Sequence, residues 1–202
     1  PAGFEAIMYS ISNIIVQVSI NNFGVDTMAA WTAYSKIDFI FWMINSAFGI
    51  SVMTFVGQNY GAGKWDRIRR GTKICLGMAL ISAVSVSIIL MSAERFLFGI
   101  FVNDAGVVEI GIHMMNVIAP AYLLFAFIEV FSGALRAQGA VVVSTLITMV
   151  GICVLRMIWV TLVAAHGTLE QVIICYPITW AAGALAMSIY YIYKQRKIFQ
   201  AR

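Results

Sequence analysis

Six apolar runs fill most of a 202-residue chain, and nearly all its Lys and Arg residues fall on alternate connections between them. The runs are Pro1–Ile20, Trp31–Val56, Ile74–Met91, Ile112–Phe131, Val141–Ala165 and Val172–Tyr193. Most reach the ~20 apolar residues that a helix needs to cross ~30 Å of hydrocarbon. The pattern predicts an all-α polytopic membrane protein, a bundle of six transmembrane helices. They run over approximately 1–22, 26–56, 73–92, 111–132, 141–165 and 171–193, within a single transmembrane domain 1–202.

The charges orient this bundle. Gly57–Lys73 carries Lys64, Arg67, Arg69, Arg70 and Lys73, the tail carries Lys194, Arg196, Lys197 and Arg202, and Ser132–Ala140 carries Arg136. The opposite connections hold only Arg95, among the acids Asp26, Glu94, Asp104, Glu109 and Glu170. Basic connections stay cytoplasmic, so the first residue and the C-terminus are expected inside a multi-pass cell-membrane protein.

The apolar fraction is 61%, against ~45–50% in soluble domains. A soluble fold of this length cannot hide so much apolar surface. The net charge of +4 therefore points to lipid headgroups as partners and not to nucleic acid. Cys75, Cys153 and Cys175 lie far apart in apolar runs, with no metal spacing and no disulfide framework. The first run has no basic leader, so no cleavable signal peptide is expected. The start at Pro1, in mid-hydrophobic stretch, reads as a fragment of a longer polypeptide.

Short turns separate the spans: Asn21–Gly24 after the first, His166–Thr168 before the last, and a longer outer connection from Phe98-Gly99 to Gly106. Pro120 and Pro177 lie inside runs, where they kink membrane helices. Small residues recur every four positions, as Ala79, Ala83 and Ser87 and as Ala182 and Ala186, which permits close helix approach. Tyr190, Tyr191 and Tyr193 before Lys194 are expected to form an interfacial belt.

Ionisable groups inside hydrocarbon are costly and need a partner, a cavity or a function. Five lie inside or beside the runs: Glu5, Lys36, Asp38, Glu129 and Arg156. At 100° per residue, Glu5, Tyr9, Ser12 and Ser19 share a face of the first span, with Asn13 at its edge. Trp31, Tyr34, Asp38, Asn45 and Gly49 share one in the second, and Lys36 points away from it to snorkel. Tyr122, Phe125, Glu129 and Ser132 share a face in the fourth, and Thr145, Thr148, Arg156 and Trp159 in the fifth. Inward carboxylates of this kind bind a proton or Na⁺, with amide and hydroxyl oxygens completing the shell. Aromatic faces such as Tyr9, Trp31 and Tyr34 hold organic cations. The bland alternative is a buried Arg156–carboxylate pair that only sets helix register.

No enzyme signature survives inspection. Gly57–Lys64 has five residues between Gly57 and Gly63, and Trp65 stands where a P-loop needs Ser or Thr. It reads instead as a tight surface turn followed by an amphipathic stretch, with Trp65 and Ile68 at the interface and Arg67, Arg69 and Arg70 among headgroups. His113 and His166 are isolated. No catalytic residue, metal site or cofactor is expected.

The stretch Val56-Gly57-Gln58-Asn59-Tyr60-Gly61-Ala62-Gly63-Lys64-Trp65-Asp66-Arg67-Ile68-Arg69-Arg70-Gly71 closely resembles a cytoplasmic loop of the multidrug and toxic compound extrusion (MATE) family. Pro1–Glu5, Ser35–Asp38 and Leu135–Gly139 resemble segments of that family's seventh, eighth and tenth helices and following loop. The resemblance implies the C-terminal six-helix lobe of a twelve-helix, two-lobe transporter, whose partner is the N-terminal lobe of the same polypeptide. It implies antiport of organic cations or drugs against Na⁺ or H⁺ by alternating access. By that resemblance Glu5 is the principal coupling carboxylate, with Asp38 and Glu129 assisting. Tyr9, Asn13, Gln17, Tyr34, Asn45 and Arg156 are expected along the substrate path. A lipid-linked precursor flippase of the same superfamily and a non-transporting membrane scaffold are the alternatives; inward carboxylates outnumbering Arg156 favour a cationic cargo.

Overall fold

The computed structural model describes residues 2–163 and 167–200; Pro1, His166 and Arg202 lie outside them. Among the described residues ten α-helices follow one another: α1 (Ala2–Asn21), α2 (Val25–Gly61), α3 (Trp65–Ser92), α4 (Glu94–Phe101), α5 (Ala105–Ile118), α6 (Tyr122–Ala137), α7 (Val141–Thr148), α8 (Leu155–Leu162), α9 (Leu169–Ile173) and α10 (Cys175–Gln200). A 3₁₀ turn, Ala119–Ala121, joins α5 to α6, and a π-helical turn, Met149–Val154, joins α7 to α8. Six stretches are long and apolar enough to cross a membrane: Gly3–Asn21, Val25–Gly61, Trp65–Ser92, Ala105–Ala137, Val141–Leu162 and Leu169–Ile198. The chain is thus an all-helical membrane bundle of six spans, and several helices run further than the apolar runs alone indicate.

α2 shows why. Its 37 residues make about 55 Å of helix at ~1.5 Å per residue, so it outreaches the hydrocarbon and carries Gly57–Tyr60 in its last turns. Gly63, at φ 66°, closes the turn to α3 in the left-handed region that glycine occupies without strain. The expected surface stretch after this turn is therefore regular helix. Ile68 is fully buried, Tyr60 and Trp65 meet edge to face at 4.9 Å, and the Arg67, Arg69 and Arg70 side chains remain exposed.

The breaks in the other spans have local causes. Pro120 lacks the N–H that would continue the α5 ladder, and the freed geometry leaves the Ala119 carbonyl to accept from Ser87 Oγ at 2.5 Å and from the Tyr122 N–H. Pro177 breaks the last span between α9 and α10 in the same way. The outer connection is shorter than expected, because residues 94–101 fold as α4 and Asp104 caps α5 by accepting from the Gly106 and Val107 N–H groups.

α2 and α6 form the centre. Buried positions on α2 follow the helical period: Tyr34, Ile37, Phe41, Asn45, Gly49, Val52 and Val56. Gly133 on α6 packs so close that an added Cβ would lie 2.7 Å from the Gly49 carbonyl oxygen. Phe41 stacks on Tyr122 at 3.9 Å, and Trp42, Phe125 and Trp180 close around them. Ala79, Ala83 and Ser87 are a buried row on α3. On the last span the close approach falls one residue beside the expected row: Gly183, not Ala182 or Ala186, lies against Gly151. Tyr191 is likewise no belt residue, since it is buried and stacks on Phe131 at 4.5 Å. Large apolar side chains such as Ile81, Ile50, Met43 and Ile14 point outward, as a lipid-facing surface requires.

Candidate functional site

The lining face of α1 is the row Glu5, Tyr9, Asn13 and Gln17, each four residues on from the last. Side chains four apart share a helix face. Ser12 belongs instead to the buried row with Val16 and Ile20, so the expected polar face divides into a lining row and a packing row. Asn13 stands on the lining row and not at its edge.

Two cavities meet at Tyr9, which lines both. One, about 500 Å³, is walled by Trp31, Tyr34, Trp42, Tyr176 and Trp180, with the Asp38 carboxylate among them. Asp38 accepts from Trp42 Nε1 at 2.5 Å and from the Tyr122 hydroxyl, which also lies 3.2 Å from the Tyr34 hydroxyl. Two side chains on two helices thereby fix the carboxylate's orientation, with a third phenol behind them. Its aromatic surroundings leave the negative charge and the ring faces as the recognition elements, the combination that attracts an organic cation.

The other cavity, about 430 Å³, holds Glu5, Glu129, Ser132, Arg136 and Thr148. Arg136 Nη2 donates to both oxygens of Glu5, at 2.7 and 2.8 Å, and Thr145 Oγ1 donates to the same carboxylate at 3.1 Å. The expected role of Arg136 as a cytoplasmic loop charge is corrected: α6 runs on to Ala137, so Arg136 sits in its last turn and reaches α1. The Glu129 carboxyl lies over Gly49, in the space a Cβ there would occupy. Glu5, Arg136 and Glu129 together bring two carboxylates and one guanidinium to one polar cavity, a composition with room for one further positive charge.

Arg156 has no carboxylate partner among the described residues, which overturns the expected register-setting pair. It is fully buried, donates to Asn13 Oδ1 at 3.0 Å, and lies over the rings of Tyr176 at 4.2 Å and Tyr9 at 5.7 Å. Thr145 and Arg156 both face α1 from the fifth span: Thr145, before the π-helical turn, reaches Glu5, and Arg156, after it, reaches Asn13. Asn45, 3% exposed, and Arg156 therefore stand in the helix interior behind the cavity walls. Tyr34, Tyr9, Asn13, Gln17 and Asp38 line the aromatic cavity, and Glu5 and Glu129 the polar one.

Sequence reasoning missed Arg136, Trp42 and Tyr176 as parts of these sites. Trp42 was legible as Asp38 plus four; Arg136 and Tyr176 are brought in only by packing between helices.

Six membrane-capable stretches around one aromatic and one polar cavity define a helical membrane bundle with a cavity-lined interior. Residues 1–162 match the MatE family, and the chain belongs to it. It is 24% identical to the "Probable multidrug resistance protein YoeA" of Bacillus subtilis over 98% of this chain and 44% of that protein. It is 22% identical to human "Multidrug and toxin extrusion protein 1" over 75% of this chain and 28% of that one. A solved "multidrug resistance MATE family transporter of the MOP superfamily", in an outward-facing conformation, superimposes with a TM-score of 0.89 at 14% identity, over 99% of this chain and 46% of its own. The chain thus spans less than half the length of the relatives it matches, and those relatives are transporters, not enzymes.

Proposed function

We propose that this chain is one six-helix lobe of an antiporter that exports organic cations or drugs in exchange for Na⁺ or H⁺ by alternating access. The observation that carries the reading is the pair of carboxylate-bearing cavities meeting at Tyr9, one aromatic and one polar. The aromatic cavity takes the organic cation, with Asp38 as its counter-charge and Tyr9, Asn13, Gln17 and Tyr34 along its wall. The polar cavity takes the coupling ion, with Glu5 as the principal carboxylate and Glu129 assisting.

The geometry supports a simple exchange. Arg136 holds Glu5 when no coupling ion is bound. A proton or Na⁺ on Glu5 competes with that guanidinium, which then leans to Glu129 in the same cavity. Tyr9 stands on the shared wall, so a shift of α1 caused by either ligand is felt by the other, which is the reciprocal linkage antiport needs. The partner in this reading is a second six-helix lobe of the same polypeptide, seated across the cavities. The relatives' names, which speak of multidrug resistance and extrusion, and their greater length support it. The protein lies in the cell membrane with the Gly63 turn and both ends of this lobe cytoplasmic, following the Lys and Arg distribution.

The test is export of ethidium from cells carrying the protein, wild type beside Glu5→Gln, with and without Na⁺. Loss of export by a variant still present in the membrane supports the reading, and Na⁺ dependence names the ion. Unchanged export by Glu5→Gln removes Glu5 from the coupling role.

A further inference from the structure

Arg156 stands behind the wall of the aromatic cavity and faces two of its rings. Its guanidinium lies 4.2 Å above the ring of Tyr176 on α10 and 5.7 Å above that of Tyr9 on α1, and both tyrosines line the cavity. Arg156 itself is fully buried and is not among the lining residues. The guanidinium thus meets both rings from within the bundle, and the cavity meets them from the other side.

That charge is not cancelled locally. Arg156 takes part in neither ion pair found among the described residues, which are Arg95–Glu109 and Arg136–Glu5. Its Nη1 donates to the Asn13 amide oxygen, a neutral acceptor, and its Nε and Nη2 have no hydrogen-bond partner among the described residues. A charge in a low-dielectric interior is felt strongly across the thickness of one ring. It also draws on the same ring quadrupole that attracts an organic cation from the cavity side. Asp38 therefore pulls on such a cation from one wall, while Arg156 pushes from behind another.

Resting on the efflux reading above, we propose that Arg156 is a specificity-determining residue which, acting through Tyr9 and Tyr176, lowers the cavity's affinity for a ligand in proportion to that ligand's positive charge. A neutral ligand of the same shape is spared. With Asp38 alone the cavity would hold a cation tightly. The guanidinium behind the rings offsets part of that attraction, and an exporter must release what it binds.

Ethidium and dihydroethidium, its uncharged reduced form, share one ring body and serve as probes. Binding of each to the full-length protein, purified in nanodiscs of phosphatidylcholine, is read by quenching of tryptophan fluorescence, since Trp31, Trp42 and Trp180 line the cavity. Arg156→Gln and Arg156→Met are each expected to tighten ethidium about tenfold and to leave dihydroethidium within about twofold. Arg156→Lys keeps the charge and is expected to keep ethidium within about twofold of wild type. The sign decides the matter: loss of a residue that only supports the wall weakens both probes, whereas loss of a repelling charge tightens the charged probe alone. Weaker binding of both, equal changes in both, or no change in either overturns the proposal, and so does equal tightening by Arg156→Lys and Arg156→Gln. The readout needs no transport. If wild-type cells export no ethidium while the charge-dependent difference persists, the efflux reading fails and this inference stands. If export holds and the variants treat the two probes alike, this inference fails alone.

Discussion

Arg136 and Glu5 are 131 residues apart in the chain, yet Arg136 Nη2 holds both oxygens of Glu5 at 2.7 and 2.8 Å. The side chains keep 29% and 14% of their exposure, so the pair lies in a cavity wall and not in a dry core. A pair so placed is neither a worthless surface contact nor a fully desolvated one. Its partner can be exchanged.

A double-mutant cycle measures that contact. Glu5→Gln and Arg136→Gln are each expected to lower thermal stability in detergent. Their combined effect should fall short of the sum by a coupling of about 1–2 kcal/mol. A coupling indistinguishable from zero would mean that the two groups do not hold each other in solution.

Tyr122→Phe removes one hydroxyl that donates to Asp38 and faces Tyr34. The ring, stacked on Phe41, stays in place. The expected result is weaker binding of ethidium by about 1.5–3 kcal/mol, the scale of one hydrogen bond to a charged group, with the melting temperature little changed. Equilibrium binding beside a melting curve separates the two effects.

Glycine at the α2–α6 crossing gives an ordered pair of outcomes. Gly133→Ala meets the Gly49 carbonyl and a Val52 methyl, so helices must separate. The atoms nearest the new methyl of Gly49→Ala belong to the Glu129 side chain, which can turn aside. Overpacking typically costs about 1–3 kcal/mol, and Gly133→Ala is expected at the upper end with Gly49→Ala clearly milder. Adding Glu129→Ala should relieve Gly49→Ala and do nothing for Gly133→Ala. Melting temperatures of the four variants decide it.

The turn after α6 carries Gly139 at φ 78°, where the Gly139 and Ala140 N–H groups close the helix on the Arg136 and Leu135 carbonyls. Gly139→Ala forces an L-residue into the left-handed region at about 1–2 kcal/mol. Because Gln138 beside it accepts from Lys194 and Gln195 of α10, the loss should appear as faster hydrogen exchange at the ends of both α6 and α10. Arg95→Ala is the contrasting case: its pair with Glu109 is 73% and 55% exposed, and the expected change is within about 0.5 kcal/mol.

Orientation has a direct test. A single cysteine at Asn103, on the α4–α5 connection, should react with an impermeant maleimide added to intact cells, and one at Lys64, on the α2–α3 turn, should not. Both positions are exposed. The reverse labelling pattern would invert the charge-based topology.

What the sequence determined by itself is what local and one-dimensional physics can carry. Apolar run length set the number and class of the spans, because a helix satisfies its own backbone wherever lipid replaces water. The 3.6-residue period placed Glu5 beside Tyr9, and Tyr34 beside Asp38, on inward faces. Proline marked the break at Pro120, and the motif around Gly63 pointed to the family that the match over residues 1–162 shows. Which charges meet was a tertiary decision. Arg156 and Arg136 are both guanidiniums near polar faces, and nothing along the chain says which one Glu5 takes. Arg156, past the π-helical turn at Met149–Val154, meets Asn13 and the tyrosines, while α6 runs six residues further than its apolar run and brings Arg136 to Glu5. Both outcomes depend on how helices far apart in sequence are rotated and seated against one another, and that rotation is set by close packing at glycines such as Gly49, Gly133 and Gly183, not by any residue's own preference.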